Sequence, residues 1–234
     1  RGTASSAPPY FDAVARCVLS FPRRLSGNLN PARLFGMDRT EIGHDTRRVM
    51  ESQPEPGSLE RIDRRIFLYL YTRSRNRVFE RLMPFMSQIA NRGFIQIVAG
   101  VPMLFMGDEM RRAALAMFAS AGAAGFFAEL TIKLVWKRPR PFMVIEGVRP
   151  KVPSRRLWKR PSFPSGHAAG YFASAVALSI CFPALAPIFI IIAAAGGFSR
   201  IYCGVHFLSD VLAGAAIGIV FALIIAPHVL RALG

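Results

Sequence analysis

The chain has 234 residues, enough for one compact domain with an amino-terminal extension. Hydrophobic residues make up 52% of it, yet it carries 30 Lys or Arg against 14 Asp or Glu, a formal net charge of +16. Such a charge would suit nucleic acid, but no helix-turn-helix, zinc-finger or aromatic-platform pattern is present. We therefore expect anionic lipid headgroups, and no nucleic acid, as partners.

The amino-terminal part differs in composition from the rest. Residues 1–60 are rich in Pro, Ser, Gly and Arg and predict a basic extension. Within it, residues 11–21 have the pattern of a short amphipathic helix on a membrane surface, and residues 52–58 (SQPEPGS) indicate a linker. The main domain is then 61–234, with one or two interfacial helices in 61–90. Because the chain begins with Arg, a leader or a first span could precede it.

Five apolar segments follow, and they predict an all-α polytopic bundle of about five to six transmembrane helices. A membrane-spanning helix needs about 20 apolar residues, so the first segment is short unless it extends backwards. Gly214 and Gly218 are four residues apart, a spacing that lets membrane helices approach closely. The segments are 93–107, 113–136, 166–182, 184–202 and 207–226.

The order of these segments predicts that three polar clusters lie on one membrane face. If the second segment leaves the membrane at Trp136, the basic loop 137–163 lies on that face. The third segment starts from the same face at Gly166, the fourth returns to it near Arg200, and the last leaves it near His206. The clusters are KLVWKRPRP, PSFPSGH and SRIYCGVHFLSD.

The first cluster fits either an anion site or ordinary interfacial chemistry. Lys133 lies in the last turn of an apolar segment, and Arg140 follows seven residues later. Lys133 could equally extend to the interface or pair with Glu129, four residues before it. Lys137 and Arg138 are expected to contact lipid phosphates.

The second cluster, PSGH, has the pattern of a helix start. A helix that begins near Pro164 would leave the N–H groups of Ser165 and Gly166 unpaired, and such groups bind anions. His167 would lie at the same mouth. The alternative is a plain serine N-cap in front of a span, with the histidine at the interface.

The third cluster adds a histidine and a carboxylate. Arg200 ends one segment, and His206 and Asp210 begin the next, one turn apart on a shared helix face. A carboxylate beside a histidine orients the imidazole and leaves its other nitrogen free to attack or to take a proton. A metal held by His167, His206 and Asp210 is the alternative, but the nearby cations would repel it. We therefore expect phosphoryl transfer with no metal and no cofactor.

Together these residues resemble the signatures of the type 2 phosphatidic acid phosphatase family, which is related to vanadium haloperoxidases and bacterial non-specific acid phosphatases. The signatures match without a gap or substitution, and the resemblance covers roughly residues 62–228. The first is Lys, six residues and Arg-Pro (Lys133, Arg140, Pro141); the second is Pro-Ser-Gly-His (164–167); the third is Ser-Arg, five residues, His, three residues and Asp (Ser199, Arg200, His206, Asp210).

The resemblance implies an integral membrane lipid phosphatase that works through a phosphohistidine. It makes His206 the nucleophile, Asp210 the residue that orients it, and His167 the acid for the leaving group and later the base for water. The implied phosphate-binding residues are Lys133, Arg140, Ser165, Gly166 and Arg200. Phosphatidate, phosphatidylglycerophosphate, a polyprenyl diphosphate and a lipid A type remain candidate substrates.

Other classes and the membrane face remain open at this level. The same cluster could belong to a non-enzymatic lipid-binding protein or to an anion transporter, although a transporter should spread its polar groups through the membrane depth. We expect a multi-pass protein of the cell (inner) membrane. The positive-inside rule favours a cytoplasmic site, whereas the family resemblance implies the non-cytoplasmic side, which we favour. The oligomeric state is not determined by the sequence.

Overall fold

The computed structural model describes residues 57–89, 93–153 and 157–234, and its regular structure in these ranges is entirely helical. The prediction of an all-α fold is confirmed. Most of the predicted extension, including the amphipathic pattern at 11–21, lies outside the described residues. The main helices are α1 (Ser58–Arg73), α2 (Arg77–Ile89), α3 (Phe94–Met103), α4 (Asp108–Phe127), α5 (Gly166–Cys181), α6 (Ala186–Tyr202) and α7 (Leu208–Ala232).

Among the described residues, three helical segments are long and apolar enough to cross a membrane, namely Asp108–Ile132, Pro183–Tyr202 and Leu208–Ala232. The other two predicted spans form shorter apolar helices, because α3 has 10 residues and α5 has 16. At about 1.5 Å per residue, a helix such as α5 falls short of a hydrocarbon core of about 30 Å. The predicted bundle is therefore present, with three full-length segments and two shorter ones.

The short helix α5 lies at the centre of the bundle and packs against α4, α6 and α7. Small residues permit this packing. A Cβ atom on Gly214 would collide with the carbonyl oxygen of Ser165, and one on Gly218 would collide with that of Ala169. Close backbone contact of this kind stabilises helices in lipid, where apolar surfaces gain little from leaving the solvent. Buried alanines fill the rest of this contact: Ala116, Ala124, Ala128, Ala173, Ala177, Ala222 and Ala226.

One end of the bundle is covered by α1 and by the loop that follows α4. The ring of Phe67 on α1 meets the Phe207 ring edge-on, with centroids 5.6 Å apart. The Tyr71 hydroxyl donates to the carbonyl of Arg149 and accepts from its N–H, at 3.2 and 3.3 Å. Within the loop, residues Pro141–Val144 form one buried helical turn. This aromatic layer separates the interior of that end from solvent.

The carboxyl-terminal end of α4 departs from regular α-helical geometry. After Phe127 the chain forms a π-helical turn, Ala128–Ile132, and then one α-helical turn, Lys133–Val135. A π-turn holds an extra residue per turn and is frequent at functional sites. It places Glu129 and Lys133 at the covered end of the bundle, next to the start of α5.

Candidate active site

The structure brings the three sequence motifs together at the covered end of the bundle. Arg140 of the first motif lies 3.1 Å from His206 of the third, measured from Nη1 to Nε2. Ser165 of the second motif donates its N–H to the carbonyl of Asp210, at 2.9 Å. The positive charges of Arg200, Lys133 and Arg140 act on His167, so this side chain lies near them. The polar groups are collected at one end rather than spread along the helices.

His206 does not lie on a helix, and the prediction that it shares a helix face with Asp210 is wrong. Helix α7 begins at Leu208, and Phe207 is its N-cap residue. The Asp210 carboxylate accepts the N–H of Phe207 at 2.7 Å and so pairs a backbone donor that the helix leaves open. His206 comes from the preceding loop, where Gly204 has a φ of 74° that favours glycine.

The contacts of His206 determine which ring nitrogen carries the proton. The Arg140 guanidinium can only donate, so His206 Nε2 accepts from it and has its lone pair on that side. The proton is then on Nδ1, which lies 3.5 Å from Oδ2 of Asp210. Burial, followed by the charges of Arg140 and Arg200, holds the pKa of His206 well below its usual value. The imidazole is therefore neutral at neutral pH.

Arg140 is fixed by the backbone as well as by His206. Its guanidinium donates to the carbonyls of Arg160, Val205 and Pro161 at 3.0, 2.8 and 3.1 Å. Burial, and then the positive charge of Arg200, lowers the pKa of Arg140 to about 9. A bound anion would raise the pKa of Arg140 again, because its negative charge would stabilise the buried guanidinium and offset the repulsion from Arg200.

Lys133 is the second cation of the site. Its ammonium group is buried and pairs with the Glu129 carboxylate. Burial lowers the pKa of Lys133, although the charge of Glu129 acts in the opposite direction. The sequence had left three interpretations open, namely an anion-binding lysine, a lysine that extends to the interface and a lysine paired with Glu129. The structure shows the contact with Glu129 and places it beside the other cations.

A network that the sequence analysis missed surrounds Asp210. Arg138 donates to Oδ1 of Asp210 at 2.9 Å and to Oδ2 of Asp63 at 2.7 Å, and the Ser162 hydroxyl bonds Oδ2 of Asp210. The guanidinium also lies over the Phe207 ring, 4.1 Å from its centroid. The prediction that Arg138 contacts lipid phosphates is wrong, because its side chain is only 13% exposed and is bound on both sides by carboxylates. No sequence signal marks Asp63, which precedes Arg138 by 75 residues.

The start of α5 differs in one respect from the prediction. The Ser165 N–H is not unpaired, because it bonds the Asp210 carbonyl, and the Ser165 hydroxyl oxygen accepts the N–H of Ala168 at 3.4 Å. Ser165 can therefore offer only its hydroxyl hydrogen to a ligand. Gly166 is the first residue of α5, and N–H groups at this position have no intrahelical acceptor.

Three buried polar atoms at this end have no hydrogen-bond partner among the residues that the structure describes. One is His206 Nδ1, which lies beside Asp210, and the other two concern a ligand. They are Nε2 of His167 and Nε of Arg200. Arg200 is otherwise held by Ser87, whose carbonyl accepts from Nη1 at 3.1 Å. An unpaired buried polar group costs about 1–3 kcal/mol. Both atoms would gain a partner from an oxyanion bound between the two side chains.

The charges at this end favour an oxyanion. Lys133, Arg140 and Arg200 are all buried here. Within the described ranges, no group of three His, Cys, Asp or Glu side chains is placed to hold a metal ion. What the arrangement can do is bind a tetrahedral anion between fixed cations and present a neutral imidazole nitrogen to it.

The fold and this site define a class, that of helical membrane proteins with an oxyanion site at one end of the bundle. Comparison with known proteins then identifies the family. The family model described as PAP2 superfamily matches residues 113–232, just over half of the chain, so the chain belongs to this superfamily. The predicted resemblance is thereby confirmed, and so is the predicted class of enzyme, a membrane lipid phosphatase that hydrolyses phosphate esters.

Individual relatives agree with this assignment. Undecaprenyl-diphosphatase BcrC of Bacillus subtilis is 29% identical over 145 residues, which cover 62% of this chain and 72% of the relative. The crystal structure of Aquifex aeolicus LpxE aligns with a TM-score of 0.56 at 26% identity, over 68% of this chain and 92% of that one. The PAP2 type phosphatidylglycerolphosphate phosphatase of Bacillus subtilis shares the fold, with a TM-score of 0.58 at 22% identity over 81% and 94% of the two chains.

Proposed function

We propose that this phosphatase cleaves a lipid phosphate monoester or diphosphate in two steps, through a phosphohistidine on His206 and without a metal or cofactor. One observation carries the proposal. The Nε2 atom of His206 faces the fixed guanidinium of Arg140 at 3.1 Å, while Nδ1 faces the Asp210 carboxylate. A neutral nucleophile is thus held next to a cation that can bind phosphate oxygens.

In the first step, Nε2 of His206 attacks phosphorus and the bond to the leaving oxygen breaks. His167 protonates this oxygen, which belongs to a lipid alcohol or to a lipid monophosphate. The Asp210 carboxylate stabilises the imidazolium that forms, and Arg140 transfers its hydrogen bond from Nε2 to a phosphate oxygen. Charge on the equatorial oxygens is offset by the phosphate cradle, which we assign to Lys133, Arg140, Ser165, Gly166 and Arg200.

In the second step, water attacks the phosphohistidine. His167, now deprotonated, takes a proton from the water, the bond between phosphorus and Nε2 breaks, and inorganic phosphate is released. His206 returns to its neutral form with the Nδ1 proton still facing Asp210. No group other than the side chains of the site and one water is needed to balance this cycle.

The leading substrate class is a polyprenyl diphosphate. BcrC, which is 29% identical to this chain, is named as an undecaprenyl-diphosphatase. A diphosphate also suits the site chemically, because its leaving group is a phosphate that departs with less help from an acid than an alkoxide does. Phosphatidate, phosphatidylglycerophosphate and lipid A types remain in the test panel.

We further propose a multi-pass protein of the cell (inner) membrane, with the site on the non-cytoplasmic side and residues 1–60 as a basic extension. The family resemblance favours this side. The opposing argument, the positive-inside rule, counts basic residues that are free to meet the membrane. Here Arg138 and Arg140 are held by protein partners, and this weakens that argument. To test the location of the site, a membrane-impermeant aryl phosphate is added to intact cells. We expect it to be hydrolysed, and activity that appears only after lysis would contradict a non-cytoplasmic site.

The purified protein in detergent tests the chemistry. Phosphate release is measured from a polyprenyl diphosphate, phosphatidate, phosphatidylglycerophosphate and a lipid A type, with and without excess EDTA. We expect release that survives chelation and a phosphohistidine that can be trapped from labelled substrate in an acid-free quench. Absence of release from every lipid, or turnover that collapses with EDTA and returns with magnesium, would contradict the proposal. His228, which is exposed on α7, provides a matched histidine control.

A further inference from the structure

The carboxylate of Glu129 lies beside the cations that we propose to bind the phosphate. Glu129 Oε1 pairs with the Lys133 ammonium, and Oε2 lies 3.3 Å from Nη1 of Arg160. A Cβ atom added to Gly166 would lie 2.5 Å from Oε1, so the carboxylate rests against the first residue of α5. Its charge also acts on Arg140. Glu129 therefore occupies the part of the cradle that is formed by Lys133 and the start of α5.

The backbone around Glu129 explains how an acidic residue reaches this place. Glu129 and Lys133 are four residues apart across the π-helical turn Ala128–Ile132. The Glu129 side chain is 34% exposed, whereas that of Lys133 is 6% exposed. The carboxylate can therefore move into solvent while the ammonium group stays in place. A partly exposed ion pair of this kind is weak enough to be exchanged for another anion.

The other carboxylate of the site is held quite differently. Asp210 is fully buried and bonded by Arg138, Ser162 and the N–H of Phe207. Removing it from these partners would leave the buried Ser162 hydroxyl and the Phe207 N–H unpaired and would take one of the two carboxylates from Arg138, which is costly. Of the two carboxylates, only Glu129 can leave its cations readily.

We propose that Glu129 sets the affinity of the cradle for phosphate, because its carboxylate is an internal anion that the phosphate of the substrate must displace. The inference rests on the proposed phosphate cradle. Glu129 and a bound phosphate compete for the Lys133 ammonium and for the start of α5, so the two cannot be bound there together. After hydrolysis, return of the carboxylate to Lys133 helps to expel inorganic phosphate. Glu129 thus weakens product binding.

The test compares Glu129→Gln and Glu129→Asp with Glu146→Gln, a control at an exposed acidic residue in the loop after α4. The inhibition constants of inorganic phosphate and vanadate are measured against a soluble aryl phosphate, together with KM and kcat. We expect both inhibition constants to fall about fivefold in Glu129→Gln, which corresponds to about 1 kcal/mol at 1.4 kcal/mol per factor of ten. KM should fall with them, and kcat should decrease because phosphate leaves more slowly. Glu129→Asp should lie between wild type and Glu129→Gln.

Unchanged or raised inhibition constants in Glu129→Gln would overturn the inference and make Glu129 a brace for Lys133. An equal fall in Glu146→Gln would overturn it too, because the effect would then be one of net charge. Loss of the monodisperse protein in both Glu129 variants would likewise assign a structural role. If phosphate and vanadate fail to inhibit the wild-type enzyme, the proposed cradle is wrong. If they inhibit wild type but Glu129→Gln shows no shift, only the inference on Glu129 is wrong.

Discussion

The two sides of His206 differ in how completely their polar groups are paired. On the Asp210 side, the carboxylate has bonds from Arg138, Ser162 and a backbone N–H, and Arg138 is bound in turn by Asp63. On the other side, His167 Nε2 and Arg200 Nε have no partner among the described residues, and a half-exposed glutamate pairs with Lys133.

This difference separates positioning from binding. The paired network holds the Asp210 carboxylate beside Nδ1 of His206, which favours one tautomer of the imidazole, and such preorganisation is what catalysis by charged groups requires. The side with unpaired donors has capacity left for a ligand. The following experiments test this contrast, in order of decreasing expected effect.

The largest effect is expected at the two histidines. His206→Ala should abolish turnover and leave no phosphohistidine, because the nucleophile is gone. His167→Ala should slow a lipid monoester by roughly 10²–10⁴, the usual range for a lost general acid. An aryl phosphate, whose leaving group needs no proton, should be affected less. Rapid-quench trapping of labelled protein measures both. A labelled intermediate in His206→Ala that is missing from His167→Ala would reverse the two roles, and His228→Ala should behave as wild type.

The second largest effect is expected at Arg138, because this residue acts on His206 through Asp210. Arg138→Ala leaves the buried Asp210 carboxylate without its cation, and breaking such a pair costs about 3–5 kcal/mol of stability. In the fraction that folds, we expect kcat to drop at least tenfold with KM little changed. Arg138→Lys should recover part of kcat. Thermal unfolding in detergent and steady-state kinetics provide the two measurements. Normal kcat and pH profile in folded Arg138→Ala would show that the paired side does not position His206; Lys137→Ala is the neighbouring control.

The pH profile should show the altered pKa values of the two sides. The pKa of His206 lies well below 6.5, so the imidazole stays neutral and nucleophilic as the pH falls, and loss of the nucleophile should not lower kcat/KM until the pH is well under that value. The pKa of Lys133 lies below 10.5, so its charge is lost as the pH rises through that lowered value, and KM should increase there. Lys133→Arg should move this alkaline rise of KM to higher pH, because guanidinium keeps its proton longer. If KM rises at the same alkaline pH in Lys133→Arg as in wild type, Lys133 does not bind the phosphate.

The smallest effect is expected from chelation. Excess EDTA should leave kcat/KM within about twofold of its value in untreated enzyme, because the cations that offset phosphate charge are side chains. Parallel assays on dialysed protein with and without added magnesium provide the measurement. A loss of activity that magnesium reverses would mean that the unpaired side binds a metal with the substrate.

Much of the fold could be predicted from local sequence. A chain in lipid must pair its backbone groups internally, so apolar segments predict helices. The predicted segments 184–202 and 207–226 correspond to the helical segments Pro183–Tyr202 and Leu208–Ala232, the second of which extends six residues further than predicted. The predicted segment 166–182 had about the minimum length of a span, whereas the helix α5 has 16 residues, ends at Cys181 before Pro183 and falls short of a span. The site residues could be named because their motifs are local. Their roles remain proposals.

The sequence by itself determined the helices, their order and the residue types gathered at one end, since these depend on local composition and spacing. The tertiary structure decided which charge pairs with which. Spacing alone suggested that His206 and Asp210 share a helix face, but the bond from Phe207 to Asp210 starts the helix after His206. Asp63 and Arg138 meet across 75 residues, and such a contact depends on how α1 folds back over the bundle. Electrostatic pairing varies with distance and burial in space, and neither quantity is encoded by sequence separation.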